Sequence, residues 1–244
     1  MCKYPLILSL LIIQQIAFAQ KSSDIPYQFP IRPGTESWAK FKNGQEMIDA
    51  TQVPNQLLSK LTTQALVLTC LDYPRLINIY AFNNIQTGTE RLVSQFNGLA
   101  ELLTRQNSGP EILKIYQLLN PGDAAKSAVL EEQGQIAFKF TIIEMLLAQK
   151  SVINTFSEPD KKKLIEEGLK KFKEKEALLD IYGGLGLTTT ALVMGRVLEK
   201  HHLLNSVSIG SEEEHVQRAF LDKVEVIDAN IILEIIDKAQ VFVR

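Results

Sequence analysis

From Thr35 onward the apolar positions recur at spacings of three and four, and few segments alternate with period two. Clusters of turn residues between β-rich runs are missing as well. The pattern predicts an all-α protein of about nine or ten helices. The first half reads as short helices, often broken. The first spans 38 to 47 or 50, and Pro54 opens a short segment over 55–61. Thr62 is placed to cap a helix over 63–71, which stops at Tyr73-Pro74 because the residue before a proline avoids the helical region. A segment over 75–82 ends at the polar turn Asn83-Asn84. Segments 89–97 and 99–105 read as one helix interrupted at Gly98. Pro110 sits near the first turn of the next helix, which Asn120-Pro121-Gly122 ends.

The second half predicts longer helices. Segment 128–150 carries Ile136, Phe140, Ile143 and Leu147 as a stripe. Ser157-Glu158-Pro159-Asp160 resembles a capping box and opens a helix with Ile165, Leu169, Phe172 and Leu179, its stripe broken at Glu176. That helix should end near Gly183-Gly184, with another over 187–204. Ser211 and Glu214 form a second capping box, opening a helix that places Val216, Phe220, Val224, Ile227, Ile231 and Ile235 on one face and runs to Gln240. Short helices over 35–125 followed by long antiparallel ones over 126–244 suggest one all-helical domain, 35–244, built as an α-solenoid-like array ending in a bundle. No repeat of fixed period supports the solenoid order. Ahead of it, residues 20–34 hold Pro26, Pro30 and Pro33 and read as an extended tail, either floating or lying along the body.

Residues 1–19 read as a signal peptide. Lys3 gives a basic start, Leu6 to Ala19 is apolar apart from Ser9, Gln14 and Gln15, and Ala17-Phe18-Ala19 fits cleavage after Ala19. The run falls short of the roughly 20 apolar residues of a membrane span, and Cys2 sits at the wrong end for a lipoprotein. The expectation is export to a periplasm or the exterior. Cleavage removes Cys2 and leaves Cys70 without an intrachain disulfide partner. Within the apolar run 65–71 it reads as a small buried hydrophobe rather than a reactive thiol. The next most apolar stretch, 185–198, is short and carries three threonines and Arg196, so no transmembrane anchor is expected in the mature chain.

Composition narrows the function classes. The chain has 244 residues, 45% hydrophobic, with 26 Lys+Arg against 28 Asp+Glu. That is too apolar for a disordered chain. It also lacks the basic excess by which a nucleic-acid binder displaces counterions from phosphates. Gly183 to Thr190 looks like a phosphate loop but has no lysine beside its threonines and follows a helix, so it reads as a helix stop, a turn and the next N-cap. His201-His202 and Glu212-Glu213-Glu214-His215 are the only places where histidine and carboxylate come close in sequence. A zinc site needs three or four converging ligands, and helix-end electrostatics account for both clusters. Lys161-Lys162-Lys163, Lys170, Lys171, Lys173 and Lys175 alternate with acids; Glu166–Lys170 and Glu167–Lys171 have the favourable i,i+4 order, which reads as a solvated helix face. Glu46 and Asp49 are one of many carboxylate pairs, and nothing marks any pair as buried. No nucleophile elbow or Cys–His signature is present. No catalytic, cofactor-binding or metal-binding residue is assigned. The reading is a non-enzymatic protein-binding or scaffolding module with an unidentified protein partner. The alternative is a cell-envelope hydrolase using carboxylates the sequence does not identify. Trp38, Tyr116 and Arg105 are the residue types of binding hot spots.

Over residues 38–119, Trp38, Gly44-Gln45-Glu46-Met47, Val53-Pro54, the run 61–66, Cys70-Leu71-Asp72-Tyr73-Pro74, Ala81-Phe82-Asn83-Asn84 and Phe96-Asn97-Gly98-Leu99 with Glu101, Leu102 and Arg105 resemble a segment of uncharacterised exported bacterial proteins. Tyr73-Pro74 and Phe96-Asn97-Gly98-Leu99 are the most specific parts. The resemblance implies bacterial export and a helical fold, and no activity, cofactor or catalytic residue.

Overall fold

The computed structural model describes residues 22–204 and 210–244; the expected signal peptide, residues 1–19, lies outside them. The short helices are α1 (Glu36–Ala39), α2 (Gly44–Ala50), α3 (Asn55–Leu58), α4 (Thr63–Leu71), α5 (Ile85–Gln95), α6 (Asn97–Thr104) and α7 (Ser108–Leu118). The second half holds α8 (Leu130–Leu147), α9 (Lys150–Ile153), α10 (Glu158–Glu176), α11 (Leu179–Lys200), α12 (Glu212–Arg218) and α13 (Asn230–Phe242). Two 3-10 turns, Leu76–Ala81 and Pro121–Lys126, and a π-helical turn, Ala219–Lys223, join them. Among the described residues there is no strand, so the all-α class holds.

Local chemistry sets several helix starts. The side chains of Thr62, Ser157 and Ser211 each accept from the backbone N–H three residues on, at Ala65, Asp160 and Glu214, as the capping patterns require. Several boundaries differ from expectation. The first helix divides into α1 and α2, because Asn43 caps a new start at Gly44. The interruption expected at Gly98 falls at Phe96, which is extended between α5 and α6. The helix expected from Ser211 to Gln240 breaks at the π turn, where Val224 is left-handed (φ 64°), and resumes only at Asn230. Phe220, Ile231 and Ile235 still reach the core, whereas Ile227 is exposed.

The solenoid-like order does not describe the packing. Solenoid repeats touch only their neighbours, but here α11 is the centre, flanked by α8, α10 and α13. Bonds join residues 110 and 141 positions apart, Arg196 to Gln86 and Asn84 to Glu225. Buried residues of both halves form one continuous cluster. α11 has 22 residues and meets the length and composition of a membrane span, longer than its 185–198 core suggested; 72% of its apolar window is buried inside the protein. The helix opened at Ser157 does not reach Gly183-Gly184: α10 stops at Glu176, and α11 starts at Leu179, ahead of the expected 187, and passes through both glycines. Gly183 kinks it at φ 58°, ψ −174°, a conformation essentially restricted to glycine.

The proline-rich tail lies along the body. Ser23 bridges to the chain at Leu61, and the Tyr27 N–H donates to Thr69 Oγ1 at 2.9 Å. Phe29 is buried at 5% exposure and meets Tyr73 and Phe96 at 5.8 and 5.9 Å. Burial of one such ring is worth about 2 kcal/mol, enough to hold a short strap. Tyr73 and Phe96 stack at 4.0 Å and 8°. The two most specific elements of the resemblance therefore meet in space. Gly98 allows it: a Cβ there would lie 2.3 Å from the Phe96 ring. Asn97 then locks the corner by exchanging side-chain bonds with both backbone groups of Val53, at 3.0 and 2.7 Å.

Candidate functional site

The densest group of titratable side chains lies at the meeting of α7, α8, α10 and α11. Glu144 and Lys175 are both fully buried and paired at 2.7 Å. The Glu144 carboxylate also accepts from Tyr116 Oη (2.7 Å), Thr190 Oγ1 (2.8 Å) and Thr189 Oγ1 (2.6 Å). Lys175 Nζ additionally donates to Thr190 Oγ1 and to the Gly186 carbonyl. It lies 4.7 Å from the Phe140 ring centroid and 5.5 Å from that of Tyr182. Burial draws the Lys175 pKa down, and Glu144 pulls it back. Burial also lifts the Tyr116 phenol well above its ordinary range, and the Glu144 charge lifts it further. Beside this cluster the Lys171 ammonium sits 2.8 Å from Glu167 and donates to the Leu119 carbonyl. Tyr182 Oη donates to the Pro121 carbonyl at 2.8 Å.

This arrangement corrects two expectations. The lysine-rich helix is not solvated all round: Lys161, Lys171 and Lys175 are 4%, 1% and 0% exposed. They fall at helical spacing on the face that buries Leu164, Ile165 and Phe172. The threonines after Gly183-Gly184 are not N-caps. Thr189 and Thr190 lie inside α11 and donate to Glu144. Every hydrogen-bonding direction of that carboxylate is met by protein, and both charges are sealed from solvent, so the cluster serves packing rather than turnover.

The other residues singled out by sequence are placed as follows. Cys70 is fully buried, and burial pushes its thiol up, out of the range of a reactive thiolate. Glu46 accepts from the Lys42 backbone N–H at 2.8 Å, and Asp49 accepts from Gln45 Nε2 at 2.8 Å, both on exposed α2. His201 caps α11, 3.2 Å from Glu158. Glu212, Glu213 and Glu214 occupy the first turn of α12. Among the described residues no group of three or more His, Cys, Asp or Glu side chains is placed to hold a metal ion. Of the hot-spot types, Tyr116 is fully buried and cannot meet a partner. Arg105 is turned inward to the carbonyls of Leu61 (2.7 Å) and Leu58 (3.2 Å). Trp38 is half-buried and packs edge-on against Phe41.

Open surfaces lie elsewhere. A groove of about 440 Å³ runs between the Tyr73-Pro74 corner, the Leu76–Ala81 turn and α8. Pro33, Leu71, Leu76, Ile77 and Phe138 give it an apolar lining, and the Arg32–Asp72 ion pair stands at its rim. Ile77 (60% exposed), Tyr80 (44%) and Phe82 (36%) project within six residues of one another, and Tyr80 packs on Phe138 at 5.6 Å. Helical periodicity does not reveal this row, because a 3-10 turn does not follow the period used to assign faces. A second cleft, about 520 Å³ between α12 and α13, is lined by Glu212, Glu213, Asp228 and Glu234 over Val216 and Ile231. A third lies beside Arg196.

No family model, no curated protein and no solved structure matches this chain.

Proposed function

We propose that the protein is an exported bacterial binding module, without catalytic activity, that docks a partner protein presenting an extended apolar segment. The observation that carries the reading is the row Ile77, Tyr80 and Phe82 beside the groove under Pro74 and Phe138. Large apolar side chains so concentrated on a surface mark a site of association, and aromatic residues are favoured as binding anchors. The charged groups fit the same reading: the cluster around Glu144 and Lys175 is closed, and the groove rim is charge-balanced by Arg32 and Asp72. Export rests on the pattern of residues 1–19 and on the resemblance over 38–119.

A photo-crosslinking side chain at Tyr80, in cells of the native bacterium, is expected to yield one discrete adduct. Ile77→Asp should abolish it, and a probe at exposed Lys170 on α10 should give none. No adduct at Tyr80, or one indifferent to Ile77→Asp, would overturn the reading.

A second reading, an envelope hydrolase, is favoured by the four carboxylates of the α12–α13 cleft, since hydrolysis of glycosides uses paired carboxylates. Glu213 is held below the usual carboxylate range by its own backbone N–H and by Ser211, so it would be a base or nucleophile rather than an acid. Turnover of envelope polymers that is lost in Glu213→Gln would establish that reading in place of the first.

A further inference from the structure

Among the described residues four cationic side chains are buried: Lys161, Lys171, Lys175 and Arg196. Three have a carboxylate in contact, Lys161 with Glu158 at 2.5 Å, Lys171 with Glu167 at 2.8 Å and Lys175 with Glu144 at 2.7 Å. Arg196, only 4% exposed, has none within 4 Å among the described residues. Its guanidinium donates to three neutral oxygens: the Leu221 carbonyl (2.9 Å), the Ala148 carbonyl (2.9 Å) and Gln86 Oε1 (3.0 Å). Those bonds brace the end of α8 against the π turn and α5, and they use three of five N–H groups. A buried charge without a counter-ion is costly, and an arginine, unlike a lysine, cannot shed it. Burial does draw the Arg196 pKa down, with Asp222, Glu199 and Glu90 opposing at longer range.

Arg196 lines a cleft of about 320 Å³ together with Lys150, Ile153, Asn154, Glu199 and Lys200. The acids nearby other than Glu90, which lines the cleft on the opposite side, are engaged. Glu199 is taken by Arg218 at 2.5 Å, Asp222 by Lys150 and Arg218 at 3.6 Å each, and Glu158 by Lys161 and His201. Lys200 bonds the neutral Asn154 amide oxygen. With Lys150 offset by Asp222, Arg196 and Lys200 leave two positive charges facing one cavity. On its other side Arg196 borders a second cleft that holds Glu90 and Asp222, which repel an anion from that direction.

We propose that the cleft between Arg196, Lys200 and Lys150 binds a compact dianion, a phosphoryl group or a dicarboxylate, with Arg196 as the fixed anchor and the two lysines closing over it. Arginine presents a planar fork of donors suited to such oxyanions. This site is independent of the apolar groove and stands or falls apart from it.

The test is calorimetric titration of the purified full chain with inorganic phosphate and with malonate, at matched ionic strength in chloride. Saturable binding of one equivalent is expected. Saturation by phosphate alone assigns the phosphoryl group, and by malonate alone the dicarboxylate; either supports the site. Lys150→Ala and Lys200→Ala change exposed side chains, so both should fold as the parent does, and each should weaken binding by about tenfold, the loss of one charge-assisted hydrogen bond. Lys170→Ala on α10 should bind as the parent does. No saturable heat with either anion, or binding unaltered in both Lys150→Ala and Lys200→Ala, would overturn the proposal.

Discussion

Removing the Glu144 carboxylate tests whether the sealed cluster holds the long helices together. In Glu144→Leu the Lys175 ammonium keeps only Thr190 Oγ1 at 3.0 Å and the Gly186 carbonyl at 3.2 Å. Thr190 keeps a good acceptor in the Gly186 carbonyl at 2.9 Å, and Thr189 a poor one at 3.4 Å. Tyr116 Oη loses the acceptor it had at 2.7 Å. Breaking a fully buried ion pair from one side costs about 3–5 kcal/mol, a large part of the roughly 5–15 kcal/mol that keeps a domain folded. With a urea m-value of about 2–3 kcal/mol/M, the midpoint followed by circular dichroism should fall by about 1–2.5 M. Adding Lys175→Met removes the orphaned charge and should leave only the uncompensated tyrosine hydroxyl, worth about 1–3 kcal/mol. Adding Tyr116→Phe should then bring stability back close to the parent. The reasoning is refuted if Glu144→Leu costs less than about 1 kcal/mol, or if the second and third substitutions each destabilise further instead of restoring.

Cys70 should not react with a water-soluble disulfide reagent in the native protein and should react at once in denaturant; prompt native labelling would contradict its burial. Gly183→Ala should destabilise by about 1–3 kcal/mol in urea denaturation, because only glycine accepts the kink without strain; an unchanged midpoint would mean that the kink is not retained in solution. At the start of α10, Ser157 and then Lys163 hold Asp160 below the usual carboxylate range. A carboxylate depressed in the folded state stabilises above its unfolded pKa of about 3.9 and loses that contribution as the pH falls through the folded value. Thermal stability should therefore decline in acid below about pH 4, less steeply in Asp160→Asn, and equal slopes in the two proteins would count against this assignment.

The all-α class, the starts of α4, α10 and α12 and the core stripe of α8 could be read from the sequence, because capping side chains and apolar spacing act locally. What could not be read depends on partners distant in the chain. Glu144 was visible as one acid inside an apolar stretch that buries eight consecutive residues, 140–147, yet its value comes from Lys175, 31 positions away, and Thr189, 45 away. The lysines of α10 looked solvated because acids alternate with them, and that alternation hides a buried spacing of Lys161, Gly168, Lys171 and Lys175. The break at Val224 was equally hidden, since the apolar spacing continues through it. Tyr116 shows the same limit from the other side: an aromatic with a hydroxyl suits a binding surface by type, but α8, α10 and α11 close over it.

The distribution of charge separates structure from recognition. A cation taken into an apolar core needs a counter-charge in the same core, and α8 and α10 each supply one, Glu144 and Glu167. Glu144 fixes how α10 lies on α8 and α11 more narrowly than a leucine would, because a sliding helix would break its bonds to Tyr116, Lys175, Thr189 and Thr190 together, whereas Glu167 pairs with Lys171 within α10 itself. Arg196 departs from that rule at the other end of α11, near the junction of α8 with α9 and the turn at 219–223. Its three neutral acceptors satisfy geometry but not charge. A guanidinium held by three hydrogen bonds, with two N–H groups left and no counter-charge, is what an anion site requires: it is already in place, and the ligand completes the electrostatics without having to order the arginine first.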